Sequence, residues 1–252
     1  MPMNDLIDIR VPPRHEDLDV MLLVGGLGTR LRSVIGEHTP KPLALVRGRP
    51  FLWYLLRTVA DQGFRHVILA TSHLSESFQT DLQSYVPDGL DVRFSFETSP
   101  RGTGGAIVEG LPTVNTDPFI VMNGDSFIKV SLDAMLKAHH AAGAVATVAL
   151  LEVPNVARYG TVLAEKDGSI TAFQEKSGLE EPGWINGGVY VLSKAALDPV
   201  ATEQTSSIEK DVFPYWVGKG LHSFKVQSPF IDIGLPETYE AAGRFFEDCG
   251  YA

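Results

Sequence analysis

Apolar and polar positions follow one rhythm in the first half of the chain and another in the second. Short apolar runs at 20–24, 67–70 and 119–122 are bounded by glycine, asparagine or charge, as strands buried on both faces require. Between the first two, residues 50–62 are helix-like and end at Gly63, and 105–111 predicts a second, short helix. Residues 92–96 alternate as a half-exposed strand. Strands alternating with helices predict an α/β, Rossmann-like fold, with a mainly parallel mixed sheet flanked by helices. Past residue 143 the pattern turns strand-rich, at 144–153, 161–165, 170–175 and 188–192. A last buried strand at 230–234 then leads into a helix at 236–247. Residues 1–18, with Pro2, Pro12 and Pro13 among charges, read as a polar extension outside the core, which leaves one domain over 19–252.

Composition narrows what this fold is for. The chain has 252 residues, 44% hydrophobic and 21% charged, enough to bury a sizeable core in one α/β domain. Its net charge of −10 argues against a broad basic surface for nucleic acid polymers, so cations for any phosphate site must be concentrated locally. No apolar run approaches the roughly 18–20 residues of a membrane span, and the polar start lacks the apolar core of a signal peptide. Cys249, the single cysteine, has no internal disulfide partner. These features predict a protein of the reducing cytoplasm with no membrane partner; a homo-oligomer is left open.

In parallel sheets ligands sit at the carboxyl ends of the strands, and several polar signatures stand there. Gly25, Gly26 and Gly28 follow the first strand directly, leading into Thr29 and Arg30, and their backbone amides can approach a phosphate closely. A dinucleotide fingerprint is excluded, since Leu31 stands where its third glycine belongs and Arg47-Gly48-Arg49 where its acid should be. A Walker loop is excluded because no Gly-Lys-Ser/Thr occurs. Lys41 lies between Pro40 and Pro42, on a backbone stiff enough to aim its ammonium. Asp125 ends one buried strand and Asp232 sits inside an apolar run. An isolated ionised carboxylate is costly to desolvate, so each needs a hydrogen-bonding partner, an ion pair or a metal. His139-His140, on a polar helical stretch without zinc spacing, reads as a solvated face.

Together, Gly-Gly-Leu-Gly-Thr-Arg-Leu at 25–31 and Pro-Lys-Pro-Leu at 40–43 resemble the signature of the sugar-1-phosphate nucleotidyltransferases. The resemblance runs in order over about 20–245, through Glu97, Gly102-Thr103-Gly104-Gly105, Asn123-Gly124-Asp125, Glu175-Lys176, Asn186-Gly187-Gly188 and the run at 230–234. Stretches at 97–107, 207–214 (Ser-Ile-Glu-Lys-Asp-Val-Phe-Pro) and 230–239 are further similar to heptose 1-phosphate guanylyltransferases. The family implies two substrates, a nucleoside triphosphate and a sugar 1-phosphate, and Mg²⁺ held by Asp125 and Asp232. It implies a nucleotide-binding part at about 19–142, using Gly25, Gly26, Gly28, Thr29, Glu97, Gly102 and Thr103. A sugar-phosphate part at about 143–235 would use Glu175, Asn186, Gly187 and Gly188, with Gly124 beside them. Arg30, Lys41 and Lys176 would carry the catalytic positive charge. The implied nucleophile is a phosphomonoester, already mostly dianionic near neutral pH, so no general base is needed. A mannose-1-phosphate guanylyltransferase and an amino-sugar uridylyltransferase are alternatives. A glycosyltransferase of similar architecture fits less well, since Ser126-Phe127 follows Asp125 where such enzymes carry Asp-x-Asp. A non-catalytic sugar-nucleotide sensor would not need Arg30, Lys41, Asp125 and Asp232 together.

Overall fold

The computed structural model describes residues 15–26, 30–36, 39–71, 82–174, 178, 180–198, 200 and 206–251. β1 (Asp19–Leu23) shows how the apolar runs build two cores. Val20 and Leu22 point to one face and Met21 to the other, as the two-residue repeat of a strand dictates. On the first face they share a core with Leu52, Leu55 and Val59 of α2 (Phe51–Asp61) and Phe246 of α6 (Pro236–Asp248). On the second, Met21 shares a core with Ile107 of α3 (Gly102–Gly110) and Phe213 of α5 (Phe213–Trp216). A helix of four residues, α1 (Arg32–Ile35), follows the glycine loop, and β2 (Leu45–Val46) pairs with β3 (Arg49–Pro50) before α2.

Parallel pairing dominates the first half of the main sheet. β4 (His66–Thr71) lies between β1 and β5 (Asp91–Phe96), and β6 (Phe119–Asn123) lies on the other side of β1, all four in the same direction. The strand-rich second half adds antiparallel neighbours. β11 (Gly183–Leu192) runs against β6, β8 (Ala146–Val153) and β9 (Thr161–Ala164), and β9 carries β10 (Ile170–Gln174). β12 (Leu221–Val226), which the sequence pattern does not single out, extends β8 in parallel. A separate ladder joins β7 (Ser126–Ile128) to β13 (Phe230–Asp232), and α4 (Leu132–Ala142) links β7 to β8.

Asp19 ties down the end of the sheet away from the glycine loop. Its buried carboxylate meets the Arg93 guanidinium of β5 and accepts from the Asn115 and Thr116 amides, at 2.5 and 3.2 Å. The expected extension is corrected at its end. Leu18 is buried, and His15 stacks on Phe64 with ring centroids 4.3 Å apart, so 15–18 pack on the core; residues 1–14 lie outside the described ones. The histidine expectation is corrected as well. His140 is exposed, but His139 is buried, its Nδ1 2.9 Å from Thr147 Oγ1, and burial lowers its pKa to about 4. A buried imidazole can stay neutral when a hydroxyl satisfies its ring nitrogen. Finally, α3 begins at Gly102 instead of 105. Gly104 within it admits a neighbour: its amide donates to Ser206 O at 2.8 Å, and a Cβ there would lie 2.8 Å from Ser206 Oγ. Among the described residues, no helix is long and apolar enough to cross a membrane.

Candidate active site

The carboxyl ends of β1, β4, β5 and β6 open into one cleft of about 430 Å³. Gly25 and Gly26 enter it from β1, Ala70 from β4, Glu97 after β5, and Asn123, Gly124 and Asp125 from β6. Lys41, Gly102 and Thr103 close the walls, with Ser207 and Glu209 reaching in from the second half. The run of strands therefore brings together residues separated by most of the chain, at the edge where parallel sheets bind ligands.

Lys41 and the two aspartates form the charged centre. Pro40 is extended and Pro42 is buried, which holds Lys41 at the start of a short 3₁₀ turn with its side chain only 12% exposed. Its Nζ lies 2.8 Å from Asp125 Oδ2. The β7–β13 ladder sets Asp232 opposite Ser126, and the Ile233 amide donates to Asp125 O at 2.9 Å, so the aspartates arrive side by side. Asp232 accepts from the Gly234 amide on Oδ1 and from the Tyr159 hydroxyl on Oδ2, both at 3.0 Å. Burial, with the Asp232 charge beside it, pushes the Tyr159 phenol up to about 12, which keeps it a donor. The donors suit a hard divalent cation that takes few protein oxygens and keeps phosphate or water for the rest. No group of three or more His, Cys, Asp and Glu that could form an all-protein cage occurs among the described residues.

Glu97 is buried beside the start of α3. It accepts from the Arg101 amide at 3.2 Å, and desolvation raises its pKa despite that bond. Thr103 lines the cleft, yet its Oγ1 accepts from the Ile208 amide at 2.9 Å, so its hydroxyl fastens the second half of the chain to α3.

The glycines expected around the sugar serve packing. Gly188, at φ +74°, makes a bulge in β11, where the pairing with β8 slips between Asn186 and Tyr190. A Cβ on Gly188 would lie 2.8 Å from Ser126 Oγ, and one on Gly124 would lie 2.4 Å from Leu23 O. Gly187 backs onto Ile128 and Ala149, and neither Gly187 nor Gly188 is among the residues lining the 430 Å³ cleft. Asn186 does face a second cleft, of about 530 Å³, with Arg158, Tyr159, Thr161, Gln174 and Lys210. Glu209 lines both clefts.

The structure thus unites Gly25, Gly26, Lys41, Glu97, Gly102, Thr103, Gly124 and Asp125 in one cleft, with Asp232 laddered alongside. Arg30 is exposed and outside the cleft lining, while Gly28, Thr29, Glu175 and Lys176 lie outside the described residues. Tyr159, Arg158 and Glu209 were not expected. Only Glu209 had a signal, in the Ser-Ile-Glu-Lys pattern that carried part of the resemblance.

Residues 19–248 match the family model described as nucleotidyl transferase. The chain is 36% identical to the D-glycero-α-D-manno-heptose 1-phosphate guanylyltransferase of Aneurinibacillus thermoaerophilus, over 90% of this chain and 97% of that protein. It is 35% identical to the mannose-1-phosphate guanylyltransferase catalytic subunit beta of Danio rerio, over 88% of this chain but 62% of that longer protein. The crystal structure of HddC from Yersinia pseudotuberculosis complexed with GMP-PN superposes with a TM-score of 0.79 at 34% identity, covering 91% of this chain and 99% of that one. Signature residues, cleft and overall similarity agree that the chain belongs to the nucleotidyl transferase family.

Proposed function

We propose that this protein is a guanylyltransferase that joins GTP to D-glycero-α-D-manno-heptose 1-phosphate, forming GDP-heptose and pyrophosphate with Mg²⁺ as cofactor. The observation that carries this reading is the grouping of Lys41, Asp125 and Asp232 beside a cleft lined by Gly25 and Gly26. The full-length similarity to a heptose 1-phosphate guanylyltransferase supports the choice of substrates.

The reaction needs a phosphate oxygen of the sugar 1-phosphate to attack the α-phosphorus in line, with pyrophosphate leaving. Because that oxygen is already anionic, the chain's task is to position two anions and offset their repulsion. Among the described residues, the nucleotide cleft holds the acids Glu97, Asp125 and Glu209 against Lys41. A triphosphate would be repelled by that wall without further positive charge. Asp125 and Asp232 would hold Mg²⁺, which supplies that charge when bound. Lys41 neutralises Asp125 at rest and faces the α-phosphate when the triphosphate enters. Arg30 reaches the β- and γ-phosphates from the glycine loop, and Lys176 meets the attacking phosphate. Gly25, Gly26, Gly28 and Thr29 cradle the nucleotide with backbone amides, while Gly102 and Thr103 border its base and ribose. Glu97 accepts the guanine N1–H and N2 amine, a donor pair that uracil and thymine lack. The sugar ring lies towards the second cleft, which Asn186 lines, and Glu175 follows β10 in the chain.

On this reading residues 19–142 handle the nucleotide and 143–235 the sugar phosphate, in one domain of a cytoplasmic enzyme without nucleic acid or membrane partners. Mannose 1-phosphate is the second candidate, favoured by the 35% identity to a mannose-1-phosphate guanylyltransferase subunit. Crossing four triphosphates with heptose, mannose and amino-sugar 1-phosphates, read by pyrophosphate release, tests both halves. A higher kcat/KM with UTP than with GTP would overturn the guanylyl assignment; a preference for mannose would overturn only the sugar.

A further inference from the structure

Glu209 belongs to a stretch whose sequence stands out and whose chemistry the reaction above leaves unused. It lies in a single π-helical turn, Ile208–Val212, a form that tends to mark functional sites. The turn is braced at both ends. The Ile208 amide donates to Thr103 Oγ1 at 2.9 Å, and the Ser207 amide to Asp211 Oδ2 at 2.7 Å. Glu209 itself is exposed, and it borders the nucleotide cleft on one side and the second cleft on the other.

Two side chains of the β11 bulge fix its position. Asn186 Nδ2 donates to Glu209 Oε1 at 2.8 Å and to the Tyr190 hydroxyl at 2.9 Å, which commits both amide hydrogens. The Tyr190 hydroxyl in turn donates to the same Oε1 at 3.2 Å, closing a three-membered ring of hydrogen bonds. Tyr190 is fully buried, so this ring roots an exposed carboxylate in the core. Asn186 Oδ1 accepts from the Gly188 amide at 2.9 Å, so the bulge holds Asn186 as Asn186 holds Glu209. A carboxylate offers about four acceptor positions, so bonds such as these are compatible with a ligand hydroxyl as well. Its charge disfavours a phosphate beside it and favours a hydroxyl, the donor in which sugars are rich.

Resting on the transferase reading, we infer that Glu209 accepts a hydrogen bond from a ring hydroxyl of the sugar 1-phosphate, with Asn186 and Tyr190 as its positioning residues. Hydroxyl recognition then falls to the border between the two clefts.

Glu209→Gln keeps the shape and removes the charged acceptor. Steady-state kinetics of pyrophosphate release should show kcat/KM for the sugar 1-phosphate falling about ten- to a hundredfold, as for other hydrogen bonds to charged groups. KM for the triphosphate should stay within twofold. With a panel of monodeoxy sugar 1-phosphates, one analogue should give the same kcat/KM in wild type and variant, identifying the hydroxyl. Tyr190→Phe, which keeps the buried ring, should lower kcat/KM for the sugar 1-phosphate by about threefold. A folded Glu209→Gln enzyme with unchanged sugar kinetics would overturn the assignment, as would a rise in triphosphate KM, which points to the ribose instead. Should Glu209→Gln not fold, Tyr190→Phe with the deoxy panel decides, and unchanged values overturn the proposal. Wild-type protein that turns over no sugar 1-phosphate at all would sink the transferase reading itself.

Discussion

Lys41 and Asp125 stand 84 residues apart in the chain and meet as an ion pair, Nζ 2.8 Å from Oδ2. The lysine is mostly covered while the aspartate is 46% exposed, so either charge can exchange its partner for a ligand without being stranded in the core. An ion pair open to solvent contributes about 1 kcal/mol or less to stability. Lys41→Met should therefore leave the melting temperature nearly unchanged while lowering kcat/KM by about 10²–10³, the usual loss for a preorganised charge donor. A loss under tenfold in pyrophosphate release would place Lys41 away from the reacting phosphates.

Tyr159 bonds Asp232, and its phenol is held protonated by burial. Removing the hydroxyl in Tyr159→Phe frees one oxygen of the carboxylate to turn. The Mg²⁺ concentration for half-maximal rate should rise about tenfold, the lower end of what outer partners of metal ligands contribute. Calorimetric titration of the protein with Mn²⁺ checks the same point without turnover. Equal affinities in wild type and variant would count against the role of Asp232 as a ligand.

Glycines 124 and 26 separate packing from ligand approach. A Cβ at Gly124 would meet Leu23 O at 2.4 Å, whereas one at Gly26 would meet nothing within 4 Å. Gly124→Ala should cost about 1–3 kcal/mol in denaturant unfolding, the range for overpacking. Gly26→Ala should unfold like wild type and raise KM for the triphosphate, because it fills space that a phosphate needs. Stable Gly124→Ala protein would contradict the close approach.

His139 gives stability a pH dependence of known sign. Its pKa is about 4 in the folded protein, below the ordinary 6.5, because burial disfavours its charge. The unfolded chain therefore takes up the proton first, and stability is full above pH 6.5 and lost as pH falls through about 4. The loss should approach about 3 kcal/mol at the acid end. His139→Gln should be less pH-dependent by that amount between pH 7 and 4; parallel unfolding curves for the two proteins would exclude the effect.

Truncation distinguishes the first fourteen residues from the next four. Deleting 1–14 should leave activity and melting temperature close to wild type. Deleting 1–18 removes the His15–Phe64 stack and buried Leu18, and should lose about 2 kcal/mol, the value of burying one large apolar side chain. Equal melting temperatures for the two truncations would show that 15–18 are not part of the core.

Hydrophobic runs made the parallel half of the sheet legible. A strand buried on both faces must be apolar throughout, so 20–24, 67–70 and 119–122 fall within two residues of β1, β4 and β6. The α3 boundary was missed because glycine is read locally as a loop residue, while here it was chosen for contact with Ser206. His139 was misjudged for a similar reason: its neighbours in sequence are polar, and Thr147, which satisfies it, becomes visible only through folding.

By itself the sequence determined which chemistry is present: a glycine turn after a strand, a lysine stiffened by prolines, and two acids at strand positions that resist burial. Those are short-range properties, set by backbone freedom and the cost of desolvating charge. Only the tertiary structure decided who meets whom. The β7–β13 ladder set Asp232 beside Asp125, the β11 bulge turned Asn186 towards Glu209, and the second half of the chain brought Tyr159 to Asp232. Such contacts join residues tens to over a hundred positions apart, and no local pattern encodes them, because strand order and register are fixed by packing the whole sheet at once.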